Sequence, residues 1–134
     1  RSSGMATEYR SATPSEIVEL AQGPLTFPLT AFAAVDDGRP VAYYGLAWKF
    51  GRCDLWFLVV DASASKRSSI RVVRQARRML NVARALGDAK VYCIRDDHPN
   101  SQKLLETVGF RFEGMVEVVL ADGSVTEKEE WVHG

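Results

Sequence analysis

Six consecutive apolar residues, Leu55 to Val60, lead into a Ser-rich stretch and then a helical pattern from about Ser68 to Leu86 that ends at Gly87. The apolar run shows no alternation, as expected of a central strand covered on both faces. The helical pattern sets Val72, Ala76, Met79, Leu80, Ala83 and Leu86 on an inner face. Arg67, Arg71, Arg74 and Arg78 step by four, three and four along an outer stripe. Between Lys66 and Arg84, seven of nineteen residues are basic and none is acidic. The whole chain holds 17 Lys+Arg against 17 Asp+Glu, so ten cations face 17 acids elsewhere, a net of −7. Charge this lopsided inside a neutral chain points to an anionic partner for the Asp61–Gly87 segment.

Length and composition set the frame. At 134 residues and 46% hydrophobic content the chain is expected to form one domain, residues 5–134, with a real core. Arg1 to Gly4, ahead of Met5, read as an expression-tag remnant. No apolar run approaches the roughly 20 residues of a membrane span, so a cytoplasmic protein is expected. The two cysteines, Cys53 and Cys93, lack metal-type spacing and read as free thiols in a reducing compartment; no metal site is expected.

Thr7–Ser11 reads as a short first strand. Thr13-Pro14-Ser15-Glu16 follows as a helix start, with Thr13 capping, Pro14 at the first helical position and Glu16 reaching back. Gly23, Pro24 and Pro28 leave a second helix truncated or absent. Ala31–Val35 and Val41–Phe50 are predicted strands around the Asp36-Asp37-Gly38 turn, with Ala42, Tyr44, Leu46, Trp48 and Phe50 on a core face. Lys90–Arg95 is a further strand and Asn100–Val108 a short helix ended by Gly109. Phe110–Leu120 and Val125–Val132 form a final hairpin, and Glu127, Glu129 and Glu130 give it an acidic, solvated edge. The predicted architecture is α+β: a mixed, mostly antiparallel sheet of about seven strands with helices on both faces.

Three local signals fit that order: the apolar strand, loop and long helix ending Ala83-Arg84-Ala85-Leu86-Gly87; the segment His98–Phe110 with its closing Gly109-Phe110; and the opening Tyr9–Glu16. Together they resemble the GCN5-related N-acetyltransferase (GNAT) superfamily from Met5 to about Val132. The small size and missing second helix resemble compact phage-encoded members. The resemblance implies a GNAT-like acyl-CoA N-acyltransferase fold and acetyl-CoA as cofactor. It implies transfer to an amine of a protein or small molecule, with homodimer formation open.

It also gives the basic segment a role: the loop before the long helix would wrap the CoA pyrophosphate with backbone amides, which suits the anion-binding character of a helix N-terminus. The implied cofactor-binding residues are Val60, Lys66, Arg67, Ser68, Ser69, Ile70, Arg71, Val72 and Asn100. The family pattern has Arg or Gln, two residues, Gly, one residue, then Gly or Ala. A gapless count back from Gly87 puts Arg67 first but Ile70 and Val72 on the small positions, where β-branched side chains crowd an approaching phosphate. Ser65, Ser68 and Ser69 would add hydroxyl donors. Many relatives place a Tyr on the penultimate helix to protonate the departing thiolate; the matching residue is Leu105. The catalytic candidates are therefore His98, Asp96 and Ser101, with His98 carrying the intrinsic pKa of a base. Tyr43, Tyr44, Glu113 and Glu117 fall on strands that border the acceptor cleft in relatives.

Two other readings compete. Leu105, Ile70 and Val72 also suit an interaction module on the same fold, catalytically reduced, that binds and modulates a host protein. Nucleic acid is not the expected partner, because groove-tracking sites interleave aromatic with basic residues and none is interleaved here.

Overall fold

The computed structural model describes residues 7–21, 25–61 and 69–134, with Ser69 and Ile70 described as helix backbone only. Ten elements follow in order: β1 (Thr7–Ser11), α1 (Pro14–Ala21), β2 (Phe32–Asp36), β3 (Arg39–Lys49), β4 (Arg52–Val59), α2 (Ser69–Ala85), β5 (Val91–Ile94), α3 (Ser101–Val108), β6 (Arg111–Val119) and β7 (Val125–His133). The seven strands form one sheet in the order β1-β2-β3-β4-β5-β7-β6. Every neighbouring pair is antiparallel except β4 and β5, which run parallel.

Local chemistry accounts for the helix ends. At α1, Thr13 N–H donates to Glu16 Oε1 at 2.8 Å and Glu16 N–H to Thr13 Oγ1 at 3.2 Å, a reciprocal capping box. Helix α3 stops at Gly109, whose φ of 108° is left-handed; Phe110 N–H then closes onto the Leu105 carbonyl at 2.9 Å. That closure turns Phe110 into the core, where it is buried.

The core has two sides. On one, α2 and α3 cover Tyr44, Leu46, Cys53, Leu55, Val91, Cys93 and Trp131 with Ala76, Met79, Leu80 and Ala83. On the other, Ala33, Val35 and Tyr43 pack with Leu20 of α1 and with Trp56. Helices therefore lie on both faces. Strand β3 is covered on both, since Val41, Tyr43 and Ala47 are buried as well as Tyr44 and Leu46.

Four expectations are corrected. Strand β4 is not sandwiched: Phe57, Leu58, Val59 and Val60 are exposed, because β4 outruns its neighbour on one side. Phe50 leaves the core pattern and is 100% exposed, since Phe50 and Gly51, both at positive φ, form the β3–β4 turn. On α2 the buried set includes Val73 and Gln75, whereas Val72 and Leu86 are exposed. Val72 borders a cavity beneath the start of the helix, and Leu86 lies past its end. The acidic end of the chain is solvated only at Glu127, which is exposed. Strand β7 lies inside the sheet, Glu129 meets Arg95 at 2.9 Å, and the buried Glu130 pairs with Arg52.

Candidate active site

The sheet opens between its two parallel strands. Pairing of β4 with β5 stops at Leu55 opposite Cys93, yet β4 continues to Val59. The chain after β5 stays with β7 instead, through Arg95 N–H to the Glu129 carbonyl at 2.9 Å. Val60 N–H donates to the Val41 carbonyl at 2.9 Å, which sets the alternation along β4. In an antiparallel ladder the intervening residues turn their backbone groups to the opposite edge, so Phe57 and Val59 direct N–H and C=O toward the opening.

Below the opening, on the α2 side of the sheet, lies a largely apolar cavity of about 300 Å³. Leu55, Phe57, Val59, Cys93 and Ile94 line it from the diverging strands, Val72, Val73 and Ala76 from α2, and Leu104, Leu105 and Val108 from α3. An aromatic row crosses four strands, with Tyr9, Tyr44 and Phe57 on the cavity wall: Phe32 and Phe57 stack on either side of Tyr44, with centroids 5.7 and 5.8 Å away, and Tyr9 meets Tyr44 edge-on at 6.4 Å. The Tyr44 hydroxyl donates to the buried Gln75 Oε1 at 2.9 Å. Burial pushes the Tyr44 phenol up to about 12 and raises Tyr9, with the Arg71 charge opposing the Tyr9 shift. Both phenols therefore stay protonated at neutral pH.

Of the residues expected at the site, the cavity brings together Arg71, Val72, Asp96, His98 and Ser101. Val60 and Asn100 do not line it: Val60 sits exposed past the end of β4, and Asn100 borders a neighbouring groove. Lys66, Arg67 and Ser68 lie outside the described residues, and the side chains of Ser69 and Ile70 are likewise not described. Leu105 packs against the core.

The three catalytic candidates are engaged locally. The Ser101 hydroxyl is buried, donates toward the carbonyls of His98 and Asp96 at 2.8 and 3.1 Å, and accepts from Arg95 Nε at 2.8 Å. His98 Nδ1 accepts Asn100 N–H at 3.1 Å, so a neutral ring carries its proton on Nε2 and has its lone pair already used. Asp96 Oδ1 accepts His98 N–H at 2.9 Å. These bonds build the turn that enters α3. Tyr43 lies on the other face and donates to Glu16 Oε2 at 2.7 Å; Glu113 and Glu117 are on exposed β6, away from the cavity lining.

Sequence reasoning missed Tyr9, Phe57, Gln75 and Asp36. Asp36, read as part of a turn, is buried at the cavity wall and accepts from Thr7 Oγ1 at 2.8 Å. The alternation of β3 does put Tyr44 on the α2 side, and that was the one available signal. Both cysteines are buried free thiols, pushed up to about 12 chiefly by burial. Among the described residues no cluster of His, Cys, Asp and Glu could hold a metal ion, and no helix is long and apolar enough to cross a membrane.

No protein-family model and no curated protein sequence matches the chain. Among solved structures, 141 chains match it. An IAA acetyltransferase from Bacillus cereus superposes with a TM-score of 0.64 at 13% identity, covering 96% of this chain and 99% of the other. The ribosomal-protein-S18-alanine N-acetyltransferase from Escherichia coli gives 0.65 at 12% identity, covering 96% and 93%. AAC(6')-Ib, in complex with ribostamycin and coenzyme A, gives 0.63 at 13% identity, covering 96% and 93%. The architecture is the GNAT acyl-CoA N-acyltransferase fold. At identities this low, the likeness is one of backbone arrangement.

Proposed function

We propose that residues 5–134 form one acyltransferase domain that binds CoA and transfers an acyl group, acetyl in the simplest case, to an amine of a protein or small molecule. The observation that carries this reading is the divergence of β4 and β5 over an apolar cavity. A cavity of about 300 Å³ is narrow, suited to an extended arm rather than a whole nucleotide. The pantetheine arm has that shape, and its amides match the backbone edge of Phe57 and Val59. AAC(6')-Ib, with the same fold, is known in complex with coenzyme A.

Acetyl-CoA, when bound, supplies an acyl group activated as a thioester and open to attack by an amine. The chain's own residues supply the rest. Phe57 N–H, fixed by the β3–β4 ladder, is placed to polarise a carbonyl lying in the opening. The apolar walls exclude water and hold the reactants together. Tyr9 holds its phenol proton at the wall and is the proton donor we assign in place of a helix tyrosine, since the Tyr44 proton is committed to Gln75. We assign Lys66, Arg67, Ser68, Ser69, Ile70, Arg71 and Val72, together with Val60 and Asn100, to the binding of CoA. Heat denaturation with and without millimolar acetyl-CoA tests the reading: a rise in Tm is expected, and no shift would overturn it.

The local engagement of His98 and Ser101 supports a second reading, an interaction module with reduced catalysis that modulates a host protein, as a phage product would. Steady release of thiol from acetyl-CoA in the presence of an amine, with no partner added, would exclude it.

A further inference from the structure

Helix α3 is short and leaves much of the final hairpin bare. Alternation along β6 and its register with β7 set Phe112, Met115, Glu117 and Val119 on one face of the sheet, together with Glu127 and Val125. Trp131, on the same face, is buried under α3. Phe112, Met115, Val119 and Val125 are instead between 52% and 70% exposed. A groove of about 470 Å³ runs between α3 and β6, with Gln102 and Glu106 on its helix side and Phe112 and Met115 on its strand side. Ser101, Leu105 and Val108 face the apolar cavity, so the two concavities lie on different sides of α3. Large apolar side chains grouped on an open face mark a surface that a partner covers.

The charge around this patch has one sign. Glu117 and Glu127 stand directly opposite each other across the two strands, a pairing that destabilises a bare hairpin. Among the described residues no ion pair holds Glu106, Glu117 or Glu127. Arg111, which also lines the groove, donates to the Gly134 carbonyl at 3.0 Å, and Arg95 compensates Glu129 alone.

The backbone is open as well. Strand β6 ends the sheet order and, among the described residues, pairs only with β7, so its outer edge carries groups with no strand to bond. Its nine residues include no Pro and no Lys, which commonly guard such an edge, and its bulge lies at the start, between Phe112 and Gly114. An acid between apolar residues at alternate positions suits an added strand with a cation between apolar residues. A second copy paired edge to edge would bring the same acids to the contact; a two-fold centred on Met115 sets Glu113 against Glu117.

We propose that the free edge of β6 docks an extended basic segment of a partner protein. Its apolar residues lie beside Met115 and Val119, and a Lys or Arg two residues from each lies beside Glu117 and reaches toward Glu127. The surface uses nothing from the acyl donor and is independent of the reading of the cleft.

Fluorescence anisotropy with two labelled peptides tests it, one built on the repeat Val-Thr-Lys-Thr and the other with Glu in place of Lys. The wild type should bind the Lys peptide about tenfold or more tightly, as exchanging attraction for repulsion beside Glu117 implies. The double variant Glu117→Lys, Glu127→Lys, changed at two exposed positions, should reverse that preference. Met115→Ser should weaken the Lys peptide about fivefold. Deuterium exchange should slow at β6 on addition of the Lys peptide and stay unchanged at β1, the other edge of the sheet. No binding of the Lys peptide at millimolar concentration, equal binding of both peptides, a preference that survives charge reversal, or protection at β1 instead of β6 overturns the proposal. A dimer in sedimentation equilibrium that Met115→Ser breaks gives the face to a second copy and overturns it too.

Discussion

Gly45 shows how one residue answers to a partner far along the chain. A Cβ there would lie 1.9 Å from the Thr30 carbonyl oxygen, a contact no side chain could survive. The segment around Pro28 to Thr30 lies against β3 at this point, with Thr30 N–H on the Leu46 carbonyl at 2.8 Å and Trp48 N–H on the Pro28 carbonyl at 2.9 Å. Gly45→Ala must push that segment away and is expected to cost about 1–3 kcal/mol, read as a lower urea midpoint. In the sequence, Gly45 interrupts an alternating strand and nothing marks Thr30 as its neighbour. The same limit applies to Asp36: an Asp before Asp37-Gly38 signals a turn, and only the pairing of Asp36 with Thr7 across β1 and β2 shows that its carboxyl is buried. The turn at Asp36 was legible; the close packing at Gly45 and the burial of Asp36 were not.

Among the elements, α1 is held by more than its capping box. Glu16 accepts from Arg10 at 2.8 Å, from Thr13 N–H at 2.8 Å and from the Tyr43 hydroxyl at 2.7 Å, tying helix, β1 and β3 together. Those bonds, Arg10 first and then the Thr13 amide, hold its carboxyl well below the usual carboxylate range. A depressed carboxylate pKa means the unfolded chain takes up the proton first as the pH falls. The stabilisation is therefore complete above the ordinary Glu value of about 4.3 and is lost progressively below it. Glu16→Gln is expected to lower the urea midpoint at pH 7, with the gap to wild type closing as the pH is taken down to 3. The capping box was readable from Thr13 and Glu16 alone, since its partners are three residues apart; Tyr43 was not. On α2 the 3.6-residue period gave the helix and most of its buried face. It could not separate Val72 from Val73, two adjacent residues about 100° apart, because the cavity beneath the first turns decides which one packs. The Arg74–Arg78 pair, spaced i and i+4, repels by roughly 0.2–0.5 kcal/mol on an isolated helix.

Across the whole molecule, the opening between β4 and β5 divides the sheet into a four-stranded part, β1 to β4, and a three-stranded part, β5, β7 and β6. Core residues under α2 and α3 bridge the two parts, Leu46 and Leu55 on one side with Cys93 and Trp131 on the other. The edge groups of Phe57 and Val59 face the gap, outside any pairing with β5. Their amides should exchange with deuterium faster than that of Leu55 and slow on addition of CoA, while amides in the β6–β7 hairpin should not respond. Equal exchange along β4 with and without CoA would contradict the assigned position of the donor arm.

The strand and helix order, the capping box, the Gly109-Phe110 stop and the basic face of α2 were all determined by the sequence. Each depends on spacing or chemistry within a few residues, where local physics dominates. The tertiary structure alone decided where the sheet parts, because Leu55–Val60 reads as one uninterrupted apolar run and only the short reach of β5 exposes its second half. It also decided that His98 and Ser101 serve the turn into α3, and that Tyr9 and Tyr44 face the cavity. Those relations join residues dozens of positions apart, and they exist only once the sheet and its helices have packed.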